Sequence, residues 1–243
     1  MSVFLTVVST VATVVSVFML MSPILTMLQL SKNKSVGTVP IVFFCAQLAN
    51  CSVWSMYGVL KGAFPVMICN FIGNCIATWC VLTYLTIIRV EEKSGHTPVA
   101  TTYQASLKLS KFAVAFVVCF LVLLLVLVNF VSFTAASLLN GLAGGCCSVL
   151  MLSSPLGMAK DIIKNKNAEG LQPVTIALGT GNSIMWTLYG FLVSPIDPFI
   201  FVPNGLCTLA CLFQFYLLFR YGRRPKEEVV VVDQSLATVP LDV

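Results

Sequence analysis

Charge is what this sequence has least of. Lysine and arginine together number 14, aspartate and glutamate 9, and there is a single histidine, so charged residues occupy only 9% of the 243 positions. Soluble domains carry roughly 25% charged residues, whereas 58% of this chain is hydrophobic and its mean hydropathy is +0.96. The composition excludes an ordinary water-facing surface and indicates a surface that faces lipid.

The hydrophobic residues form seven long runs. A helix crosses a bilayer core about 30 Å thick with about 20 apolar residues. Runs of this kind lie at residues 4–29, 39–60, 64–88, 109–132, 135–159, 173–194 and 198–219. The sequence therefore predicts an all-α membrane protein with seven transmembrane helices.

The few basic residues lie between the runs in an alternating pattern. With the N-terminus outside, thirteen of the fourteen lysines and arginines fall on the cytoplasmic side, and only Lys61 falls outside. The plasma membrane is the expected location, with an internal membrane left open. No basic patch is interleaved with aromatic residues, so a nucleic-acid partner is not expected, whereas membrane lipid is.

Residues suited to catalysis, metal binding or ion coupling are missing from the runs. The ten cysteines form no Cys-x-x-Cys motif, and the runs contain no Lys, Arg or His apart from Lys111, near the cytoplasmic end of the fourth run. The only acids close to a run are Asp161 and Asp197. Because ion-coupled carriers usually need a titratable group inside the membrane, passive transport is favoured. We expect no enzymatic activity, no metal and no cofactor.

Pairs of like residues recur 132 to 134 positions apart. They are Pro23 with Pro155, Pro40 with Pro173, Trp54 with Trp186, Tyr57-Gly58 with Tyr189-Gly190, and Asn70 with Asn204. Each copy spans three helices, so a single intervening helix is needed to give both copies the same orientation. The predicted division is a first repeat at 1–90, a cytoplasmic loop and linker helix at 91–133, a second repeat at 134–220 and a cytoplasmic tail at 221–243.

Four of the paired side chains suit a neutral, hydroxyl-rich ligand. The amides of Asn70 and Asn204 offer donors and acceptors without binding a charge. The indoles of Trp54 and Trp186 can pack against the C–H face of a sugar ring. Interhelical hydrogen bonding by asparagine and interfacial anchoring by tryptophan are the alternatives. The duplication favours a sugar-binding pocket.

The remaining pairs suit moving parts. Pro23 and Pro155 lie within helices and are predicted hinges, because proline removes a backbone hydrogen bond. Pro40 and Pro173 suit either hinges or helix starts.

An outer gate is predicted from the residues at the outer ends of the second and seventh helices: Tyr57, Gly58, Tyr189, Gly190 and Asp197. A tyrosine hydroxyl bonded to a carboxylate would close a path there, and the glycines would let the backbone bend. Interfacial tyrosines and an acid at a helix N-terminus are the alternative. Gly141-x-x-x-Gly145 allows close helix packing within the chain or in a homo-oligomer.

The order, spacing and duplication of these motifs resemble the SWEET (MtN3/saliva) family of sugar transporters over residues 1–222. The motifs are Ser22-Pro23, Lys32-Asn33-Lys34-Ser35, Trp54-x-x-Tyr57-Gly58, Asn70-x-x-Gly73, Ser154-Pro155-Leu156, Trp186-x-x-Tyr189-Gly190, Asp197-Pro198-Phe199 and Pro203-Asn204-Gly205. The resemblance implies seven helices arranged 3+1+3 as parallel repeats. It also implies bidirectional uniport of sugars by facilitated diffusion with alternating access.

Residue by residue, the resemblance assigns Asn70, Asn204 and Trp186 to sugar binding and Tyr57 with Asp197 to the outer gate. It also assigns four prolines to a hinge tetrad: Pro23, Pro40, Pro155 and Pro173. Plant members often carry a smaller residue in place of Trp54, so we expect a narrower site that prefers monosaccharides such as glucose. An amino-acid or organic-acid carrier of the related PQ-loop type and a non-transporting seven-helix receptor or scaffold are the alternatives.

Overall fold

The computed structural model of the chain describes residues 3–95, 101–169 and 171–222, and for residues 149–158 it describes the backbone alone. These residues form seven α-helices. Their bounds are Val3–Asn33 (α1), Val42–Lys61 (α2), Phe64–Lys93 (α3), Tyr103–Val126 (α4), Phe133–Asn165 (α5), Pro173–Leu192 (α6) and Pro198–Tyr221 (α7). A short π-helical segment, Leu127–Val131, continues α4. The seven predicted helices are confirmed.

Several helices are longer than the apolar runs that predicted them. α3 continues to Lys93, α5 continues to Asn165, and α4 begins at Tyr103. Backbone hydrogen bonding does not stop where a helix leaves an apolar layer. A search for apolar runs, in contrast, stops at the first charged residues, such as Arg89 in α3.

Four helices among the described residues are apolar and long enough to cross a membrane by length and composition: α1, α3, α4 with its π-helical end, and α7. The hydropathy of α2 and α6 is lower because both helices carry amide and hydroxyl side chains along their length. Examples are Gln47 and Ser52, both buried in α2, and Ser183, which is buried in α6. These polar groups face other helices, so they are compatible with a spanning segment in a bundle.

Six of the helices form a ring, and α4 lies outside it. α3 packs against both α1 and α2, and α7 packs in the same way against α5 and α6. The ring closes because α1 contacts α6 and α2 contacts α5. The two three-helix units, α1–α3 and α5–α7, therefore have the same internal order, as expected for parallel repeats. α4 packs on α2 and α3 and presents exposed Leu, Val and Phe side chains outward.

Among the described side chains, the hydrophobic core is shared between the units at one end of the ring only. There, one cluster joins Trp54 and Tyr57 to Trp186, Tyr189 and other residues of both units. Toward the opposite end, the first unit has a cluster around Phe44 and Tyr84, and the second has another around Ile162 and Leu217. We call these the shared end and the opposite end.

The paired glycines at the shared end lie where helices approach closely. A Cβ added to Gly58 would lie 2.6 Å from the backbone nitrogen of Met67, and one added to Gly190 would lie 2.6 Å from that of Phe201. These glycines therefore let α2 pack tightly on α3, and α6 on α7. Backbone bending at these glycines, which the sequence had suggested, stays a prediction.

Gly141 and Gly145, whose spacing had two interpretations, face different surroundings. A Cβ on Gly141 would lie 2.5 Å from the ring of Phe199, whereas one on Gly145 would meet nothing within 4 Å. Gly141 therefore serves packing of α5 against α7 within the chain.

Candidate functional site

A cavity of about 360 Å³ lies inside the ring of helices. Its wall includes all four residues predicted to bind a ligand, Trp54, Asn70, Trp186 and Asn204. Six more polar residues of the wall were not singled out from the sequence, and they are Ser16, Asn50, Ser148, Thr175, Asn182 and Gln214. None of the described wall residues is charged, so the cavity suits a neutral ligand with hydrogen-bonding groups.

Asn70 and Asn204 are held in the same way. The amide nitrogen of Asn70 donates to the carbonyl of Val66 at 2.9 Å, and that of Asn204 donates to the carbonyl of Ile200 at 2.8 Å. Both bonds reach back four residues along the same helix, so each amide is fixed against its own backbone. The amide oxygens make no hydrogen bond to a described residue, which leaves them as acceptors for a ligand.

Each tryptophan reaches from its own unit into the first helix of the other. Trp186 Nε1 donates to Ser16 Oγ at 2.7 Å, and Trp54 Nε1 donates to Ser148 Oγ at 3.3 Å. Ser16 and Ser148 are themselves 132 positions apart. The two contacts are therefore equivalent under the repeat, and both tie the units together at the wall of the cavity.

Tyr57 and Asp197 contact each other across the two units at the shared end. The Tyr57 hydroxyl lies 2.7 and 2.8 Å from the two carboxylate oxygens of Asp197, to which it donates. Tyr57 is fully buried and Asp197 is 8% exposed. A hydrogen bond to an ionised carboxylate is stronger than one between neutral groups. The sequence had suggested a bond of this kind, and we call it the gate contact.

Aromatic rings surround the gate contact. The ring centroids of Trp54 and Tyr57 lie 5.5 Å apart at 79°, and those of Trp186 and Tyr189 lie 5.4 Å apart at 86°. Edge-to-face pairs of this kind are favourable. All four rings belong to the hydrophobic cluster that joins the two units at the shared end.

The gate contact itself has no copy in the repeat. Asp197 precedes α7 and also accepts from the backbone N–H of Phe199 at 3.1 Å, so it caps that helix. The position 134 residues earlier is Ala63, which precedes α3 and provides no side-chain cap. Tyr189 therefore has no carboxylate at the position that would match Asp197.

Asn140 of α5 is a buried polar residue that the sequence interpretation missed. It is fully buried, and with its amide oriented to satisfy both partners it donates to the carbonyl of Val53 at 3.1 Å and accepts from the N–H of Tyr57 at 2.8 Å. The carbonyl of Val53 and the N–H of Tyr57 are four residues apart, so they are the two partners of one backbone hydrogen bond in a regular α-helix. Asn140 therefore braces the turn of α2 that carries both Trp54 and Tyr57.

The four prolines occupy different local settings. Pro23 lies inside α1 and is buried. Pro173 is the first residue of α6, and Pro40 lies in the connection just before α2. Pro155 lies within residues 149–158, so its side chain is outside the described part of the chain. Pro173 therefore occupies a position where proline is favoured whether or not it moves.

Comparison with known proteins gives one consistent family. The profile of the family described as "Sugar efflux transporter for intercellular exchange" matches residues 6–92 and 138–231. The two matched segments cover most of the two three-helix units, and α4 falls in the gap between them.

Several relatives match over most of their length. The chain is 29% identical over 210 residues to "Bidirectional sugar transporter SWEET7" of Arabidopsis thaliana, covering 86% of this chain and 76% of the relative. It is 27% identical over 212 residues to "Sugar transporter SWEET1" of Dictyostelium discoideum, covering 86% and 90%. It is 30% identical over 220 residues to "Putative bidirectional sugar transporter SWEET7d" of Oryza sativa subsp. japonica, covering 89% and 75%.

The fold also matches a solved structure described as "The 3.7 A resolution structure of a eukaryotic SWEET transporter". The TM-score is 0.75 at 21% sequence identity, and the match covers 89% of this chain and 96% of that chain. At this identity the likeness shows the fold.

Proposed function

Because the chain belongs to the SWEET (MtN3/saliva) family of sugar transporters, we propose that it is a non-enzymatic uniporter that carries sugars in both directions across a membrane by facilitated diffusion. The observation that carries this proposal is the cavity inside the ring. Its wall combines two indoles and two anchored asparagines in equivalent positions, and none of its described residues is charged.

The chemistry of the wall fits a sugar. The free amide oxygens of Asn70 and Asn204 accept hydrogen bonds from sugar hydroxyls, while the faces of Trp54 and Trp186 pack against ring C–H groups. A neutral ligand needs no counter-charge, which agrees with the uncharged wall. Two indoles narrow the site, so we propose a preference for monosaccharides such as glucose.

Alternating access follows from the two ends of the ring. The gate contact and the shared core close the cavity at one end, whereas the units have separate cores toward the other. We assign the shared end to the outside of the plasma membrane, with the N-terminus outside and the C-terminus cytoplasmic. On this assignment, the structure is closed to the outside.

The moving parts are the two predicted repeats, 1–90 and 134–220. The loop and linker helix at 91–133 connects them, and 221–243 forms a cytoplasmic tail. Pro23, Pro40, Pro155 and Pro173 act as hinges for the inner half of the path, and lipid surrounds the outward-facing side chains.

Uptake measurements test the proposal. Radiolabelled glucose, galactose, fructose and sucrose are offered to cells that lack their own hexose carriers, with and without a protonophore. Since none of the described residues of the wall is charged, we expect saturable hexose uptake that the protonophore does not abolish. Loss of uptake with the protonophore would contradict uniport, and absence of any sugar uptake would contradict sugar transport.

A matched control separates ligand binding from helix stability. Asn70→Ala and Asn204→Ala remove both the amide and its bond to the backbone four residues earlier. Asn129→Ala does the same in the π-helical segment that continues α4, where Asn129 is exposed outside the ring and its amide donates to the Leu125 carbonyl at 2.8 Å. We expect the first two variants to reach the membrane but lose most uptake, and the third to transport normally.

A further inference from the structure

Two thiols lie next to each other on the α7 side of the cavity wall. Cys207 and Cys211 both line the cavity, and their side chains are close enough to interact with each other. They follow Asn204 by three and seven residues, so the three side chains share one face of α7. Cys211 belongs to the core cluster of the second unit at the opposite end, and Cys207 packs against that cluster. The thiol pair therefore lies between Asn204 and the opposite end.

The first unit has no thiol at either matching position. With the offset of 134 that relates Asn70 to Asn204, Cys207 corresponds to Gly73 and Cys211 to Ala77. The remaining cysteine of the described wall, Cys69, belongs to the cluster at the shared end. The pair is therefore a feature of the second unit alone, and a three-helix unit is built without it.

Small and hydroxylated residues of α6 face the pair. Ser183 interacts with Cys207 and Thr180 with Cys211, and a Cβ added to Gly179 would lie 3.4 Å from Cys211 Sγ. A hydroxyl that donates to a thiolate stabilises the deprotonated form, which is the form that binds metal ions. The surroundings of the pair therefore suit thiolate ligands.

Helix geometry favours a bridging ion over a disulfide. Side chains four residues apart on an α-helix have Cβ atoms about 5–6 Å apart, whereas a disulfide requires a separation of about 3.5–4.5 Å. An ion with metal–sulfur bonds of about 2.3 Å spans the larger gap, because it adds a second bond between the two sulfur atoms. Thiolates select soft cations over hard ones such as Mg²⁺ and Ca²⁺.

The charge of the wall decides which soft cation fits. Binding breaks two S–H bonds, forms two metal–sulfur bonds and releases two protons to water. A divalent cation with two thiolates is neutral, whereas a monovalent one leaves a net negative charge, for which the described wall residues offer no counter-charge. Two protein ligands leave the other coordination positions to water, so the ion exchanges more readily than in a closed four-ligand site.

We propose that Cys207 and Cys211 form a binding site for a soft divalent cation of the zinc group, and that the bound ion blocks the path between Asn204 and the opposite end. The site itself is independent of the proposed function. Only the block rests on it, because a block presupposes that sugar passes through the cavity.

Titration of the purified chain in nanodiscs with Cd²⁺ tests the site without sugar transport. We expect a thiolate-to-Cd²⁺ charge-transfer absorption that Mg²⁺ neither produces nor removes. Cys207→Gly and Cys211→Ala, which introduce the residues of the first unit, should each raise the Kd for Cd²⁺ about a hundredfold. Cys69→Ser is the matched control and should leave the Kd unchanged. Equal Kd values in all four chains would overturn the site.

Alkylation of the unaltered chain gives a second result that does not depend on the folding of a variant. Bound Cd²⁺ should slow the reaction of Cys207 and Cys211 with N-ethylmaleimide about tenfold or more, as located by mass spectrometry, because metal-bound sulfur is a poor nucleophile. The reaction of Cys69 should keep its rate. Equal protection of all three cysteines, or of none, would contradict a site formed by the pair.

Hexose uptake into proteoliposomes tests the block. Cd²⁺ should inhibit uptake by the unaltered chain and by Cys69→Ser but not by Cys207→Gly, and a chelator should restore it. Binding without inhibition would overturn the block. Failure of the unaltered chain to transport any hexose would overturn the proposed function, whereas the titration and the alkylation would still decide whether the metal site exists.

Discussion

The carboxylate of Asp197 accepts from the hydroxyl of Tyr57 in one unit and from the N–H of Phe199 at the start of α7 in the other. The first bond crosses between units that are expected to separate at this end, whereas the second stays within α7. Substitutions of Tyr57 and of Asp197 therefore separate two effects. One is loss of the bond that joins the units, and the other is loss of the cap on α7.

We predict that Tyr57→Phe opens the shared end without unfolding the chain. It removes a charge-assisted hydrogen bond, whose contribution is about 1.5–3 kcal/mol, and so raises the population of the open state about tenfold or more. The measurement is the rate at which a membrane-impermeant thiol reagent, added at the shared end, modifies Cys69 of the cavity wall when the other cysteines are replaced by serine.

Two Asp197 variants serve as controls for that experiment. Asp197→Asn keeps an oxygen that can both cap α7 and accept from Tyr57, so modification is expected to stay slow. Asp197→Ala removes both bonds and is expected to give fast modification together with a lower Tm. Equal rates in Tyr57→Phe and the unaltered chain would show that the gate contact does not hold the shared end closed.

The sequence predicted much of this residue-level arrangement because the repeat marks it. Trp54, Asn70, Trp186 and Asn204 line one cavity, as the symmetry suggested. Ser16 and Ser148 obey the same spacing and could have been found by the same comparison.

Asn140 could not have been found from the repeat, because the matching position in the first unit is Val8. Its contacts with the backbone of α2 depend on how α5 packs there, which no spacing reveals. A residue that braces only one unit leaves no duplicate in the sequence.

At the scale of helices, the paired glycines allow the second helix of each unit to pack closely against the third helix of the same unit. We predict that Gly58→Ala and Gly190→Ala each cost about 1–3 kcal/mol, because the new methyl group would meet backbone atoms of the neighbouring helix. The apparent Tm in detergent, followed by fluorescence-detected gel filtration, should fall by several degrees.

Gly181 provides the matched control on α6. A Cβ there would meet nothing within 4 Å, so Gly181→Ala should leave the Tm unchanged or raise it, since alanine is favoured over glycine in a helix by about 1 kcal/mol. If Gly190→Ala were as stable as Gly181→Ala, close approach of α6 and α7 would not depend on the glycine.

Helix bounds were less predictable than helix number. The apolar runs located all seven helices, but they underestimated α3 and α5, whose ends carry charged residues beyond the apolar layer. Local hydrogen bonding decides where a helix ends, and hydropathy does not report it.

At the scale of the whole molecule, closure at the shared end is asymmetric because only one unit contributes an acid. We predict that Ala63→Asp adds a second contact, with Tyr189, and also caps α3. Because both contacts must then break for the cavity to open at that end, Vmax for sugar uptake should fall about tenfold, the effect of about 1.4 kcal/mol, with little change in KM.

A double variant tests whether a contact with Tyr189 causes the lower Vmax of Ala63→Asp. Combining Ala63→Asp with Tyr189→Phe removes the hydroxyl that would donate to the introduced carboxylate, so Vmax should recover. A Vmax that stays low in the double variant would mean that the introduced carboxylate disturbs the shared end in some other way.

The sequence did not predict which end of the ring is closed. A carrier uses one sequence for at least two conformations of similar free energy, so residue patterns predict the parts that meet and not the state in which they are seen.

Several polar contacts join the units across the cavity, and each pairs a residue of one half with a residue of the other. Among them are Trp54 with Ser148, Ser16 with both Trp186 and Asn182, and Tyr57 with Asp197. Evolution of either half is consequently constrained by the other. Compensating changes should co-vary between halves, and a chimaera that takes one half from a distant relative should work only when both partners of each pair are exchanged together.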